Sequence, residues 1–423
     1  MVDPEIQENF IQRIYNEIPL RLIHVPTMTL MERSQVQEHL QPRLECGEGA
    51  EKLLRYAILS HRWREHSEIL YKDFPGRGPG HEKLRKFCSV VRSHGVEFAW
   101  VDTCCIDKSS SAELDESIRS MFKWYRNSYV CIIHLAESRT VKDIYKDEWF
   151  KRGWTLQELL APRRREFRGA SWNPLENPNE IMSLVRGLTD IPDKDLDDFI
   201  PGPKDISRRM SWADRRKTTR AEDRAYSLMG MFDVSISIAY GEGGDRAFFR
   251  LVEAILNISD GRDILNWAGR PARIGHPTKM IPSSPSCYAH PRPSRSTTLD
   301  EPMRLTSMGL GLRLLVMRVK LRSDLTYANK ETVSFQCSYC RGGILTVTMN
   351  QTLTGDEYKF ALGIWNVTRP TKLPNEFHAC LLVKFNKFCR WEKMPTKKPI
   401  IFRHTFGRRN DTLKKRIWKE MFL

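Results

Sequence analysis

Tyr129-Val-Cys-Ile-Ile-His-Leu135 is an apolar run with no polar alternation, and its reading decides the fold. Such a run is buried on both faces, the condition of a central strand in a parallel sheet covered by helices. Upstream, Leu114, Ile118, Met121, Phe122 and Tyr125 recur on one helix face, and before them Val96-Glu-Phe-Ala-Trp-Val-Asp102 is a strand ending in an acid. Leu84, Phe87, Cys88 and Val91 mark an earlier helix closed by Gly95, and Arg55-Tyr-Ala-Ile-Leu-Ser60 is the first strand of the series. Strand, helix, strand, helix, strand at this spacing predicts an α/β fold with a parallel sheet and flanking helices. Ligands of such sheets bind outside the carboxyl ends of the strands. Here those ends are Ser60-His61-Arg62-Trp63, Asp102 to Asp107, and the loop after Leu135.

That loop runs into Trp149-Phe-Lys-Arg-Gly-Trp154 and then Thr155-Leu-Gln-Glu-Leu-Leu160, which places Trp154 and Glu158 four residues apart at a helix start. Residues at that spacing share a face, so an indole and a carboxylate can form half of a site that grips a flat heteroaromatic ring and stabilises positive charge next to it. The helix dipole is expected to keep Glu158 anionic. Taken alone, Trp154 and its leucines also fit a plain core turn, and Ser60, His61, Trp63, Asp102 and Asp107 fit strand-end and loop hydrogen bonds. Their convergence on one rim makes them candidate binding residues.

The chain has 423 residues, enough for two or three domains, with 40% hydrophobic and 28% charged residues, as in soluble globular proteins. No run approaches the length of a membrane span and the start lacks the apolar region of a secretory signal, so an intracellular, cytoplasmic protein is expected. Ten scattered cysteines, several inside apolar runs, fit free core thiols. Cys337 and Cys340 have half the spacing of a zinc site, but Cys380 and Cys389 do not form the second half, and no metal is expected there. Residues 371–423 carry 14 Lys and Arg against 4 Asp and Glu and supply +10 of the net +16. Neither stacking aromatics nor a nucleic-acid motif accompanies this tail, which favours a solvated basic surface over a nucleic-acid partner.

The expected organisation is a lead-in over 1–50 whose strand-like piece is Arg21-Leu-Ile-His-Val-Pro26, an α/β core over 51–165, and a helical extension over 166–268. A Pro/Ser-rich linker over 269–297 and a β-rich domain with the basic tail over 298–423 complete it. Within the extension, Thr219 to Met231 is expected as a helix with Thr219 and Glu222 as a capping box, and Tyr240-Gly-Glu-Gly-Gly244 as a glycine turn at a helix start, where an anion can sit.

Three segments together resemble the fungal heterokaryon incompatibility (HET) domain family: Tyr56-Ala-Ile-Leu-Ser-His-Arg-Trp63, Trp100-Val-Asp-Thr-Cys-Cys-Ile-Asp-Lys108 with its continuation to Leu114, and Arg152-Gly-Trp-Thr-Leu-Gln-Glu-Leu-Leu-Ala-Pro162. The chain departs from the usual pattern at Arg64, where the family commonly has glycine, and at Ser235-Ile-Ser-Ile-Ala239, where a proline-containing approach is usual. The third segment is also similar to the motif of Toll/interleukin-1 receptor (TIR) domains. That resemblance implies a TIR-like, flavodoxin-like sheet, with Glu158 as the catalytic residue of NAD(+) cleavage, NAD(+) as substrate and no bound cofactor. Only Glu158 takes its role from that comparison; with NAD(+) as substrate, chemistry makes Trp154 or Trp63 the candidates to stack on nicotinamide or adenine and Arg62 the candidate to meet the pyrophosphate. The family resemblance further implies a part in non-self recognition and programmed cell death. The alternative it leaves open is a non-enzymatic module working by self-association of HET domains, or with other HET or sensor proteins.

Overall fold

The computed structural model describes residues 3–64, 68–175, 177–259, 261–289, 303–321, 332–337, 344–349, 358–366, 376–385, 391–402 and 418–423. By internal packing the chain divides into two compact units, one of Met1–Pro201, Arg216–Thr219 and Tyr226–Ile238, the other of Gly202–Arg215, Arg220–Ala225 and Ala239–Leu423.

The first unit begins with α1 (Pro4–Glu17), the hairpin β1 (Arg21–His24) and β2 (Thr29–Glu32), α2 (Arg33–Glu45) and α3 (Ala50–Leu53). Residues 1–50 are therefore more than the expected lead-in. Phe10 and Ile14 of α1 and Val36, Leu40 and Leu44 of α2 are buried, and β1 pairs antiparallel with β4, defined below. Their buried residues recur every four positions, a helical spacing that the sequence itself carries.

The parallel part follows as β3 (Tyr56–His61), α4 (Pro79–Ser93), β4 (Phe98–Trp100), α5 (Ser111–Asn127), β5 (Val130–His134), α6 (Thr155–Leu160) and β6 (Arg165–Arg168). Every residue of β3, β4 and β5 is buried, as apolar strands between two helix layers require. The sheet order is β2-β1-β4-β3-β5-β6, with the four strands from β4 to β6 parallel. Chain order reverses between β3 and β5: β3 goes on to β4 on one side, whereas β5 and β6 extend the other. The crevice of a doubly wound sheet lies at this reversal, outside the carboxyl ends of its strands.

Beyond β6 lie α7 (Pro178–Thr189), α8 (Asp193–Asp197), α9 (Ile206–Ser211), α10 (Asp223–Tyr226), α11 (Met229–Phe232) and α12 (Gly244–Ile258). Thr219 to Met231 is thus not one capped helix. Glu222 instead turns its carboxylate to the glycine turn, where Oε1 accepts from the amides of Gly241 at 3.0 Å and Gly243 at 3.1 Å. The anion at that turn is the protein's own side chain. In α11, a Cβ added to Gly230 would lie 2.2 Å from Cβ of Phe122 on α5, well inside contact distance. Gly230→Ala is expected to cost about 3 kcal/mol through overpacking, read as a lower denaturation midpoint in urea; an unchanged midpoint would show that α11 can move off α5 freely.

The second unit holds the β-rich C-terminal region. Its strands are β7 (Arg304–Thr306), β8 (Gly309–Leu321), β9 (Thr332–Cys337), β10 (Ile344–Thr348), β11 (Tyr358–Ile364), β12 (Phe377–Phe385), β13 (Glu392–Lys393), β14 (Ile400–Phe402) and β15 (Trp418–Phe422). They form one antiparallel sheet built around β8, with Met317, Phe335, Leu362, Ile364, Phe377 and Leu381 in its core. The segment expected as a linker is packed over its described part: Met280, Ile281 and Tyr288 are buried, and the amide of Ala272 donates to the carbonyl of Ile281 at 3.0 Å. Prolines and serines punctuate this stretch, while its few apolar residues anchor it. Residues 290–297, Cys340, Cys389 and residues 403–417 of the basic tail lie outside the described residues. Cys88, Cys104, Cys105, Cys131, Cys287 and Cys380 are buried free thiols. Among the described residues no helix is long and apolar enough to cross a membrane.

Candidate functional site

The site grows from the chain reversal between β3 and β5. Ser60 and His61 end β3, in parallel register with Ile133 and His134 of β5. The loop after β5 carries Trp149 in a 3-10 turn, and the chain then enters α6 at Thr155. All six residues of α6 are buried, so Glu158 points inward; it is 6% exposed. Thr155 fixes the approach by donating to the carbonyl of Trp149 at 2.6 Å, and Nη1 of buried Arg216 donates to the carbonyl of Arg152 at 3.0 Å and to Oγ1 of Thr155 at 2.9 Å.

Glu158 and Ser60, 98 residues apart, are hydrogen-bonded. The Ser60 hydroxyl donates to Oε2 of Glu158 at 2.5 Å and accepts from the Trp149 indole nitrogen at 2.8 Å. The donor chain therefore runs one way, from indole to hydroxyl to carboxyl, and fixes the carboxyl group in place. The Tyr125 hydroxyl, which donates to the carbonyl of Leu59 at 3.0 Å, also lies against Glu158. The expectation of a dipole-held anion is overturned. Burial, reinforced by the negative charge of Asp102, pushes the Glu158 carboxyl up to about 8, against the opposing bonds and charges of Ser60, Arg152 and Tyr125. A helix of six residues offers only a weak dipole, and desolvation of a carboxylate outweighs it.

Trp63 is linked to this pair through Asp102. Its indole nitrogen donates to Oδ2 of Asp102 at 2.8 Å, and the Lys108 ammonium lies 3.7 Å from its ring centroid. Burial pushes Lys108 below its usual range, opposed by the charge of Asp102. Nζ of Lys108 and Oδ1 of Asp102 are buried without a hydrogen-bond partner among the described residues. His61 pairs with Glu68 at 3.2 Å, and Glu68 is bonded in turn by Lys83. His134 stacks on Trp172 at 4.1 Å, and burial drives its imidazole down to about 3, leaving it neutral.

The structure thus brings Ser60, Glu158, Trp63 and Asp102 to one rim. Arg62 turns to an ion pair with Glu137 at 2.6 Å, and Asp107 accepts from the amide and hydroxyl of Ser109 at 2.9 and 2.6 Å, an ordinary loop bond at the start of α5. Trp154 caps α6 and is half-buried. Sequence reasoning missed Trp149, Tyr125, Lys108 and Arg216. The aromatic run entering Arg152-Gly-Trp154 hinted at Trp149; Arg216, 61 residues beyond Thr155, has no local signal.

Residues 56–143 match the family described as Heterokaryon incompatibility protein (HET), and thus contain the first two motifs and strands β3 to β5. The chain is also 40% identical over 244 residues to Vegetative incompatibility protein HET-E-1 of Podospora anserina. Residues 56–143 thus carry a heterokaryon incompatibility (HET) domain. The aligned part covers 54% of this chain and only 18% of that relative's length. No solved structure matches the chain significantly. The HET-matched segment supplies Ser60, His61, Trp63, Asp102 and Lys108, while Glu158 and Trp154 lie just beyond it, in and at the start of α6 between β5 and β6.

Proposed function

We propose that the HET domain is a TIR-like NAD(+) nucleosidase and that the protein acts in vegetative incompatibility and programmed cell death in the cytoplasm. The observation that carries this reading is the buried Glu158 carboxyl, fixed by Ser60 at the sheet's chain reversal with Asp102 close enough to act on its ionisation. Cleavage of the ribose–nicotinamide bond builds positive charge on the sugar while the departing ring becomes neutral. That leaving group needs no strong acid, unlike an ordinary glycoside. A single ionised carboxylate, oriented and shielded from water, stabilises the developing cation.

Each residue has a part. Glu158 supplies the charge, Ser60 and Trp149 hold its orientation, and Trp63, braced by Asp102, offers a ring face. The reactive, ionised form of the carboxyl grows in as the pH approaches 8. The carboxyl is largely protonated at neutral pH before that. Arg62 reaches a pyrophosphate after exchanging Glu137 for it.

That resting protonation also favours the second reading, in which the HET domain is a non-enzymatic module that signals by self-association or by joining other HET or sensor proteins. A neutral carboxyl bonded to serine is a stable core element. Incubating the purified full chain with NAD(+) at pH 8 to 9 and measuring free nicotinamide separates the two. Release proportional to enzyme and time is expected; intact NAD(+) after hours at high protein concentration would leave association as the working mode.

A further inference from the structure

A second cluster of ionisable side chains lies at the other end of the sheet. Glu97 immediately precedes β4, so it lies at the amino ends of the parallel strands, whereas the Glu158 site lies at their carboxyl ends. Two imidazoles converge on it. His24, the last residue of β1, places Nε2 at 3.1 Å from Oε1 of Glu97, and His39 of α2 places Nε2 at 2.6 Å from the same oxygen. The three donor atoms lie within 4.8 Å of one another. The geometry points to a divalent-metal site, best matched to zinc, held by His24 Nε2, His39 Nε2 and Oε1 of Glu97.

Four features carry this. First, two nitrogens and one carboxylate oxygen are a donor set that zinc takes when one position stays open for water. Second, the separations suit the ion: ligands about 2.0–2.1 Å from a tetrahedral centre stand about 3.3 Å apart. Shifts of an ångström or so therefore open the cluster around an ion. Third, the outer contacts orient the donors. Nδ1 of His24 faces Oγ1 of Thr27 at 2.7 Å, and as a donor there it leaves the lone pair on Nε2. Nη1 of Arg43 takes Oε2 of Glu97 at 2.6 Å, which turns Oε1 toward the imidazoles. Arg43 is also paired with Glu48 at 3.0 Å, so its charge is matched and Glu97 keeps a negative charge for the metal. Fourth, access is open on one side. His24 is buried, while the side chains of His39 and Glu97 are 31% and 28% exposed, which admits an ion and its water.

No spacing motif announces the site: His24 and His39 are 73 and 58 residues from Glu97, and folding alone assembles them. The ion would tie the β1 hairpin and α2 to the sheet edge, a role in holding the fold together that leaves Glu158 untouched.

The test uses the full chain stripped with EDTA and titrated with zinc in competition with a chromophoric chelator. One equivalent per chain is expected, with affinity falling at least 100-fold in His39→Gln and in His24→Gln. Cobalt in place of zinc should give visible bands without a thiolate charge-transfer band, which separates this site from adventitious binding by cysteines. Zinc should also raise the thermal midpoint of the wild-type chain and not that of His39→Gln. Failure of the stripped chain to compete for zinc, wild-type affinity in both variants, or a thiolate band would each overturn the proposal. Should His24→Gln fail to fold, His39→Gln, altered at a partly exposed helix position, carries the comparison.

Discussion

Glu158→Gln is expected to lower NAD(+) turnover by about 10³-fold or more, equivalent to roughly 4 kcal/mol of lost transition-state stabilisation. The amide keeps an acceptor for the Ser60 hydroxyl and nearly the same volume, so the packing of α6 is conserved. KM should stay within a few-fold, because the carboxylate acts on charge that appears only as the glycosidic bond breaks. In the wild type, turnover at low NAD(+) should rise with pH up to about 8, tracking the ionised fraction of Glu158, and flatten above it. Turnover in the variant within about threefold of wild type would remove Glu158 from the chemistry, whatever the protein's wider role.

The second large effect concerns stability and holds even if no NAD(+) is cleaved. The Glu158 carboxyl stands at about 8 in the folded chain against an ordinary value of 4.5. The folded state thus holds a proton that the unfolded chain releases. Its stabilising contribution is complete below about pH 4.5, shrinks as pH rises, and is gone above about pH 8. The loss over that window is on the order of 4–5 kcal/mol. Glu158→Gln carries no such proton, so the variant should gain on the wild type steadily from pH 5 to pH 8 and hold a constant lead beyond. Urea unfolding of both proteins across that range reads the difference, and other titrating groups, His134 among them, cancel in the comparison. A difference independent of pH would mean that the carboxyl is already ionised inside the fold. Together the two expectations describe a residue kept at a cost to stability, as functional sites commonly are.

The parallel sheet was legible because β3, β4 and β5 are buried on both faces, so their apolar runs are continuous, and because α4 and α5 show a clear helical period. The rim rule for such sheets places Ser60 and Glu158 in one neighbourhood from the sequence alone. What stayed hidden depends on depth and on distant partners. Glu158 looks like a helix-start acid in the sequence; only the complete burial of α6 reverses the sign of its ionisation. The β1 strand joins the sheet through backbone bonds to β4, which side-chain patterns barely record. His24, His39 and Glu97 meet for the same reason. Arg62 and Asp107 had suitable chemistry at suitable places, yet nearby Glu137 and Ser109 take their polar atoms.

The Lys108 ammonium over Trp63 carries a consequence for how this crevice behaves when idle. The chain's own cation already occupies the ring face beside Asp102. A pyridinium that takes this seat therefore replaces one positive charge with another instead of adding one. Such an exchange leaves the local charge balance nearly constant, so affinity should vary little with ionic strength even though the recognition is electrostatic. It also makes the empty crevice a poor trap for stray cations, and a guest must compete with an occupant that is covalently tethered and always present.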